Sequence, residues 1–237
     1  QRQMCIRDSN GDIIHDICID KNNNLWIGTE DAGLNKLNMK DHSYTSFNDM
    51  KGLSQNCIHG LASIDNHLWI GTHANGIDLM DIRTEKIIKH YTISVNPYAN
   101  KNDIIVYLYK LQNNDLLVAT ALGVYQYNSQ KDIFEKLSQF PNNCRIQTLF
   151  EDHDGVIWAG RSSKGLYYYN PATSQHGEFK LDTVNTSRTI NNIYEDRKNN
   201  LWFATGDGIK IYDRSTQQTT KYDMQAVSYT HLTLPTT

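Results

Sequence analysis

Apolar and polar residues alternate along this chain in short runs, and one run keeps returning. Leu25-Trp26-Ile27-Gly28-Thr29 is followed by Leu68-Trp69-Ile70-Gly71-Thr72 and, more loosely, by Leu116-Leu117-Val118-Ala119-Thr120. It returns again as Ile157-Trp158-Ala159-Gly160-Arg161 and Leu201-Trp202-Phe203-Ala204-Thr205. Trp26, Trp69, Leu117, Trp158 and Trp202 anchor the five copies, 43, 48, 41 and 44 residues apart. All 4 tryptophans of the chain occupy this one position. A period in the forties with a Trp-bearing strand in every unit predicts a repeat architecture, above all propeller blades.

Each unit opens with an apolar pair: Ile14/Ile17, Ile58/Leu61, Ile105/Leu108, Ile146/Leu149 and Ile190/Ile193. The second member of each pair lies a nearly constant distance before the anchor, which predicts a hairpin with a turn of fixed length. The intervening residues suit such a turn, as in Asp20-Lys21-Asn22-Asn23-Asn24, Asp65-Asn66-His67 and Asp152-His153-Asp154-Gly155. Asp and Asn close turns by accepting from backbone N–H groups two residues on, and they tolerate positive φ. In the third copy, Gln112 stands where this reading expects Asp. Past each anchor comes a glycine (Gly33, Gly76, Gly123, Gly165, Gly208), then a third strand such as Val124–Asn128 or Ile209–Asp213. Fourth strands are expected at Tyr44–Phe47, Ile87–Tyr91, Ile133–Leu137, Glu178–Leu181 and Thr219–Tyr222. The fold class is therefore all-β, a β-propeller of four-stranded antiparallel blades. Blade bounds fall at about 10–55, 56–103, 104–143, 144–189 and 190–225. The first nine residues and residues 226–237 stand outside the repeat. They resemble translated adapter read-through at the ends of a short contig, which makes the chain a window from a longer protein.

Composition narrows the function classes. The net charge of −3 argues against a nucleic-acid or anionic-membrane face. No run is apolar enough to span a bilayer. Cys5, Cys18, Cys57 and Cys144 have neither metal-ligand nor disulfide spacing and read as isolated thiols. His15, His59 and His90 fall within strands and His73 in a loop, with no recurring spacing, so neither a metal site nor a cofactor is expected. Asp20-x-Asn22-x-Asn24 imitates half of a calcium loop but lacks the required glycine and bidentate Glu, and turn capping explains it.

The series Gly52-Leu53-Ser54-Gln55-Asn56, Ile58-x-x-Leu61, Asp65, Leu68-Trp69-Ile70-Gly71-Thr72 and Gly76-Ile77 resembles the two-component regulator propeller repeat. So does Ile190-x-x-Ile193-Tyr194-Glu195-Asp196 with Asn200-Leu201-Trp202-Phe203-Ala204-Thr205. The resemblance covers about Asn10 to Asp223, and the third unit departs most. It implies the extracytoplasmic, periplasmic sensor region of a bacterial hybrid histidine kinase, in a family that often regulates glycan uptake and breakdown. It also implies seven-bladed rings, so that five units form part of one. The remaining blades, a β-sandwich, a membrane helix and a kinase would lie elsewhere in a homodimeric parent, with an oligosaccharide as the possible ligand.

Propeller ligands sit where loops converge at the channel mouth. The loops after the second strands carry Glu30, Asp31, His73, Asn75, Arg161, Lys164 and Asp207, polar and varied on a fixed frame, and these are the candidate ligand-binding residues. Tyr125, Tyr127 and Tyr167-Tyr168-Tyr169 could serve as sugar platforms, although strand packing is the favoured reading of them. No catalytic residue is assigned. A propeller lyase or hydrolase using Glu30 or Asp31 with Asp207, and a protein-interaction scaffold, stand as the alternatives to a sensor module.

Overall fold

A computed structural model of the chain describes residues 13–93, 104–181 and 189–222. The two end segments that resemble read-through lie outside these residues. Twenty strands form five sheets of four, each built from consecutive strands in the order 1-2-3-4. The first sheet holds β1 (Ile14–Ile19), β2 (Asn24–Thr29), β3 (Leu34–Asn38) and β4 (Tyr44–Phe47). The second holds β5 (Ile58–Ile64), β6 (His67–Thr72), β7 (Ile77–Asp81) and β8 (Lys86–Tyr91). The third holds β9 (Ile105–Lys110), β10 (Leu116–Thr120), β11 (Gly123–Asn128) and β12 (Ile133–Lys136). The fourth holds β13 (Ile146–Glu151), β14 (Ile157–Arg161), β15 (Gly165–Asn170) and β16 (Gln175–Phe179). The fifth holds β17 (Ile190–Glu195), β18 (Leu201–Thr205), β19 (Gly208–Asp213) and β20 (Gln218–Tyr222). The one helical turn among the described residues is a 3-10 turn at Asp49–Lys51.

First strands pack in succession: β5 on β1, β9 on β5, β13 on β9 and β17 on β13. The apolar core is accordingly divided into four clusters, one per joint between neighbouring sheets. Trp26 and Leu34 meet Ile58 and Leu61 of the next sheet. Trp69 and Ile77 meet Ile105 and Leu108. Leu117 and Val124 meet Ile146 and Leu149, and Trp158 and Leu166 meet Ile190 and Ile193. The anchor of one unit therefore packs on the apolar pair of the following unit. The small residue two positions after the anchor makes room for that pair. A Cβ on Gly71 would stand 2.5 Å from Ile105 Cγ2, and one on Gly28 would stand 2.8 Å from Ile58 Cγ2. Both lie inside van der Waals contact, so the close approach needs glycine.

Each apolar pair is spaced by three because every first strand carries a β-bulge. Ile14 pairs with Thr29 and Asp16 with Gly28, which leaves His15 as an extra residue. The same skip falls at His59, Val106, Gln147 and Asn191. In a regular strand, residues three apart face opposite sides; the inserted residue returns the second member of the pair to the same side as the first.

The hairpin turns of the first, fourth and fifth units are closed by Asp as the sequence suggests, with one addition, whereas in the second Asp65 takes positive φ (54°) in a two-residue turn. Asp20 Oδ1 accepts from the backbone N–H groups of Asn22 (2.8 Å) and Asn24 (3.0 Å). Its Oδ2 accepts from the Trp26 indole at 2.9 Å. Asp152 holds Trp158 at 2.6 Å and Asp196 holds Trp202 at 2.9 Å in the same way. The carboxylate half of the apparent calcium loop is thus engaged by the turn and the indole. In the third unit the equivalent position is Leu111 and not Gln112. Leu111 N–H bonds Asp115 O at 2.8 Å, as Asp20 N–H bonds Asn24 O and Asp196 N–H bonds Asn200 O. Here the Asp–Trp pair is replaced by two leucines, Leu111 and Leu117, buried in one cluster. An unpartnered carboxylate at 111 would have no indole to receive.

The turn from third to fourth strand is also constant. Asn38, Asp81, Asn128, Asn170 and Asp213 each accept from the N–H two residues on. Positive φ follows at His42, Glu85, Asp132, Ser174 and Gln217. This turn starts β16 at Gln175, three residues before the expected Glu178, because Asn170 closes it at once.

Candidate functional site

The bulges decide what lines the centre. A cavity of about 410 Å³ lies along the first strands, lined by His15 and Asp16 of β1, His59 of β5, and Val106 and Tyr107 of β9. Gln147 and Thr148 of β13, Asn191 and Asn192 of β17, and Arg145 complete it. Apart from Arg145, which precedes its pair, the lining in every unit comes from between the two members of the apolar pair. The bulge turns both intervening residues away from the packed face and towards the centre. Gly60, in the second unit, is the exception: a Cβ there would meet Leu108 N at 2.7 Å.

Asp16 is the carboxylate of the lining. Burial pushes it up to about 6, against the pull of the backbone N–H groups of Leu61 and Ile17. The Leu61 N–H donates to it across the joint at 2.7 Å.

At the mouth, the residue after each second strand bonds back to the residue before the first strand. Glu30 N–H donates to Ile13 O at 3.0 Å and His73 N–H to Cys57 O at 2.9 Å. This brings two of the candidate loop residues against the start of the first strands. Glu30 bonds the His15 imidazole and lies 4.0 Å from His59 Nε2. The ring centroids of His15 and His59 are 4.3 Å apart, and those of His59 and His73 are 4.8 Å apart. The His15 hydrogen bond lowers the Glu30 carboxyl below its usual range, more than burial raises it. Burial, then the charges of His15 and His73, push His59 down to about 4. Burial, with Glu30 and Asp31 adding to it, pushes the Cys57 thiol up to about 11. His90 pairs with Asp78, whereas His15, His59 and His73, scattered in sequence, and the thiol of Cys57 are therefore neighbours in space. Sequence spacing missed them because the joint between two sheets, and not one strand, collects them.

The other candidate residues are placed differently. Asn75 donates from Nδ2 to Ser54 O at 2.8 Å. Arg161 is buried and stands where other units have threonine. Thr72 Oγ1 donates to Gly76 O at 2.9 Å, and Arg161 takes up that role with the carbonyls of Gly165 and Lys164 while pairing with Glu178 at 3.0 Å. The Lys164 side chain is exposed on the same loop. Asp207 accepts from Thr205 Oγ1 at 2.7 Å and pairs with Lys221 at 3.0 Å. The tyrosines weighed as platforms pack in the joints: Tyr125 and Tyr127 with Trp69, Tyr168 with Trp158, and Tyr167 and Tyr169 with Phe140.

Against this geometry, the profile described as two component regulator propeller matches residues 7–31, 139–160 and 186–207. Among the described residues these segments cover the hairpins β1–β2, β13–β14 and β17–β18. These three segments are similar to the two-component regulator propeller repeat. A chain of similar sequence is Histidine kinase P4 of Formosa agariphila, 23% identical over 275 residues, which span 89% of this chain and 20% of the kinase. The repeats also superpose on the extracellular domain of a protein of B. thetaiotaomicron described as a hybrid two component system. The TM-score is 0.73 with 24% identity, covering 94% of this chain and 30% of that one. A second B. thetaiotaomicron extracellular domain, described as from a one component system, gives 0.71 with 21% identity over 90% of this chain and 28% of the other. At these identities the likeness carries the fold. The repeats span less than a third of each of these proteins.

Proposed function

We propose that the chain is an extracytoplasmic ligand-sensing module of a two-component receptor, with the central channel as its ligand site. The observation that carries this reading is the lining. A fixed frame presents varied residues, two per unit except at Gly60, to one polar cavity of about 410 Å³, within the roughly 300–1,000 Å³ usual for small-molecule sites. Hydrogen-bonding groups of Arg145, Gln147, Thr148, Asn191 and Asn192, with the ring of Tyr107, suit the hydroxyls and apolar faces of a sugar. We further propose periplasmic placement and a homodimeric parent with more blades, a membrane segment and a kinase. Ligand binding then changes signalling only by favouring one arrangement of that receptor over another. The loop residues Glu30, Asp31, His73, Asn75, Lys164 and Asp207 would frame the entrance, with Arg161 shaping its loop.

Titrating the full chain with a panel of neutral and uronate oligosaccharides, followed by calorimetry, tests the reading. One class should bind, and Arg145→Ala or Asn192→Ala should weaken it about tenfold or more. Silence across the panel, or binding indifferent to both substitutions, would remove the glycan site from the channel. The hydrolase alternative has one favouring feature, the Asp16 carboxyl pushed up into the general-acid range. It lacks a second carboxylate in the described lining.

A further inference from the structure

We infer that the joint between the first two sheets is a binding site for a borderline divalent transition metal of the zinc class, held by His15, Glu30, Cys57 and His59. One donor atom from each of these side chains lies within 4.8 Å of all the others. Ligand atoms around a tetrahedral zinc are about 3.3–3.8 Å apart, given bonds of about 2.0–2.3 Å. The wider separations therefore need a small contraction, while His15 and Glu30, now hydrogen-bonded to each other, must part slightly to share the ion. His15 and Glu30, both exposed, have the side-chain freedom for these adjustments.

The orientation of His59 supports the assignment. Its Nδ1 lies 3.2 Å from the Ile105 carbonyl. A carbonyl only accepts, so Nδ1 carries the proton and Nε2 presents its lone pair. That nitrogen is the one facing Glu30, 4.0 Å away. A histidine whose second nitrogen donates to a backbone carbonyl is the arrangement metal-bound imidazoles adopt. A separate observation points the same way. His73, whose ring abuts His59, has a buried Nδ1 with no hydrogen-bond partner. A polar atom buried without a partner is costly, and a metal or its bound water beside His59 would satisfy it.

The donor set selects the ion. Two imidazoles, one thiol and one carboxylate suit zinc and its neighbours, whereas calcium and magnesium take oxygen donors. Coordination forms a metal–sulfur bond and releases the Cys57 thiol proton to solvent, with no change of oxidation state. His15 and Glu30 come from the first sheet, Cys57 and His59 from the start of the second. The ion would thus fasten two neighbouring sheets at the mouth of the cavity that His15 and His59 also line. This inference rests on the donor geometry and is independent of the sensing role.

The test uses the full chain, stripped with chelator and handled anaerobically, then titrated with Co²⁺ and Zn²⁺. One equivalent of Co²⁺ should bind with a near-ultraviolet thiolate-to-metal band, and Zn²⁺ should displace it. Cys57→Ser should abolish the band, Cys5→Ser should keep it, and His59→Gln should weaken zinc binding by about tenfold or more. X-ray absorption of the zinc adduct of the unaltered chain gives a readout free of any folding defect in a variant. It should show one sulfur and the remaining neighbours nitrogen or oxygen. No stoichiometric uptake, a zinc shell without sulfur, or a cobalt band that survives Cys57→Ser would overturn the site.

Discussion

The first and fifth sheets share the motif positions and register of the three between them, yet they bury those positions differently. Trp26 is 0% exposed and Trp202, at the equivalent position, is 36% exposed. Ile58 is 0% exposed, whereas Ile14 and Ile17 are 58% and 57% exposed. Trp202 keeps its indole bond to Asp196 at 2.9 Å, so the hairpin itself is intact. What differs is the neighbour. A strand's own sheet satisfies its backbone, and the following sheet buries its anchor. Stability in such arrays is approximately a sum of unit terms and joint terms, and this chain separates the two by comparison within one molecule.

The sharpest way to break that comparison is to truncate both tryptophans. Trp26→Ala should cost about 3–5 kcal/mol. Trp202→Ala, with much of its surface already in water, should cost less than half as much in denaturant unfolding. Equal losses would mean that an anchor left uncovered by a following sheet carries as much of the core as a covered one. Next in size is the apolar pair. Ile105→Ala removes contacts from a filled joint and should cost about 2–5 kcal/mol. Ile17→Ala should stay within about 0.5 kcal/mol. A large effect at Ile17 would reveal that another surface covers it in solution.

The smallest expected effect concerns Asp16, which lies on the first sheet but is shielded by the second. Its folded value, raised to about 6, lies above the unfolded carboxyl value. The folded state therefore holds more protons between about pH 4 and pH 6, and stability falls as pH rises through that window. Asp16→Asn, which still accepts from Leu61, should flatten the slope there. A slope that persists unchanged would assign it to other groups.

Much of the frame was legible in the sequence because it repeats. Five anchors, five pairs and five turns constrain one another, and the sheet assignments followed from them. The cavity was not legible, although its residues sit inside the most regular motif. The apolar pair reads as two core positions, and nothing in the spacing says that the interval hides a bulge. In retrospect the spacing of three, odd for a strand of period two, is the signal. The His15, Glu30, Cys57 and His59 cluster was hidden for another reason. Its members come from two units, and repeat analysis compares units instead of joining them. Leu111 and Leu117 show a third limit, since a paired exchange looks like a defect until the turn bonds establish the register.

The bulge has a consequence for how such a chain can change over evolutionary time. Its extra residue is paired with nothing in the ladder, and its neighbour faces open space. On the sensing reading, substitutions at these places, Gly60 and Asp16 apart, would alter what the molecule recognises while leaving the turns and anchors untouched. Recognition and folding would then be written on separate alphabets within one short segment. A library randomised at only these interval positions would explore new specificities on a scaffold that keeps its own architecture.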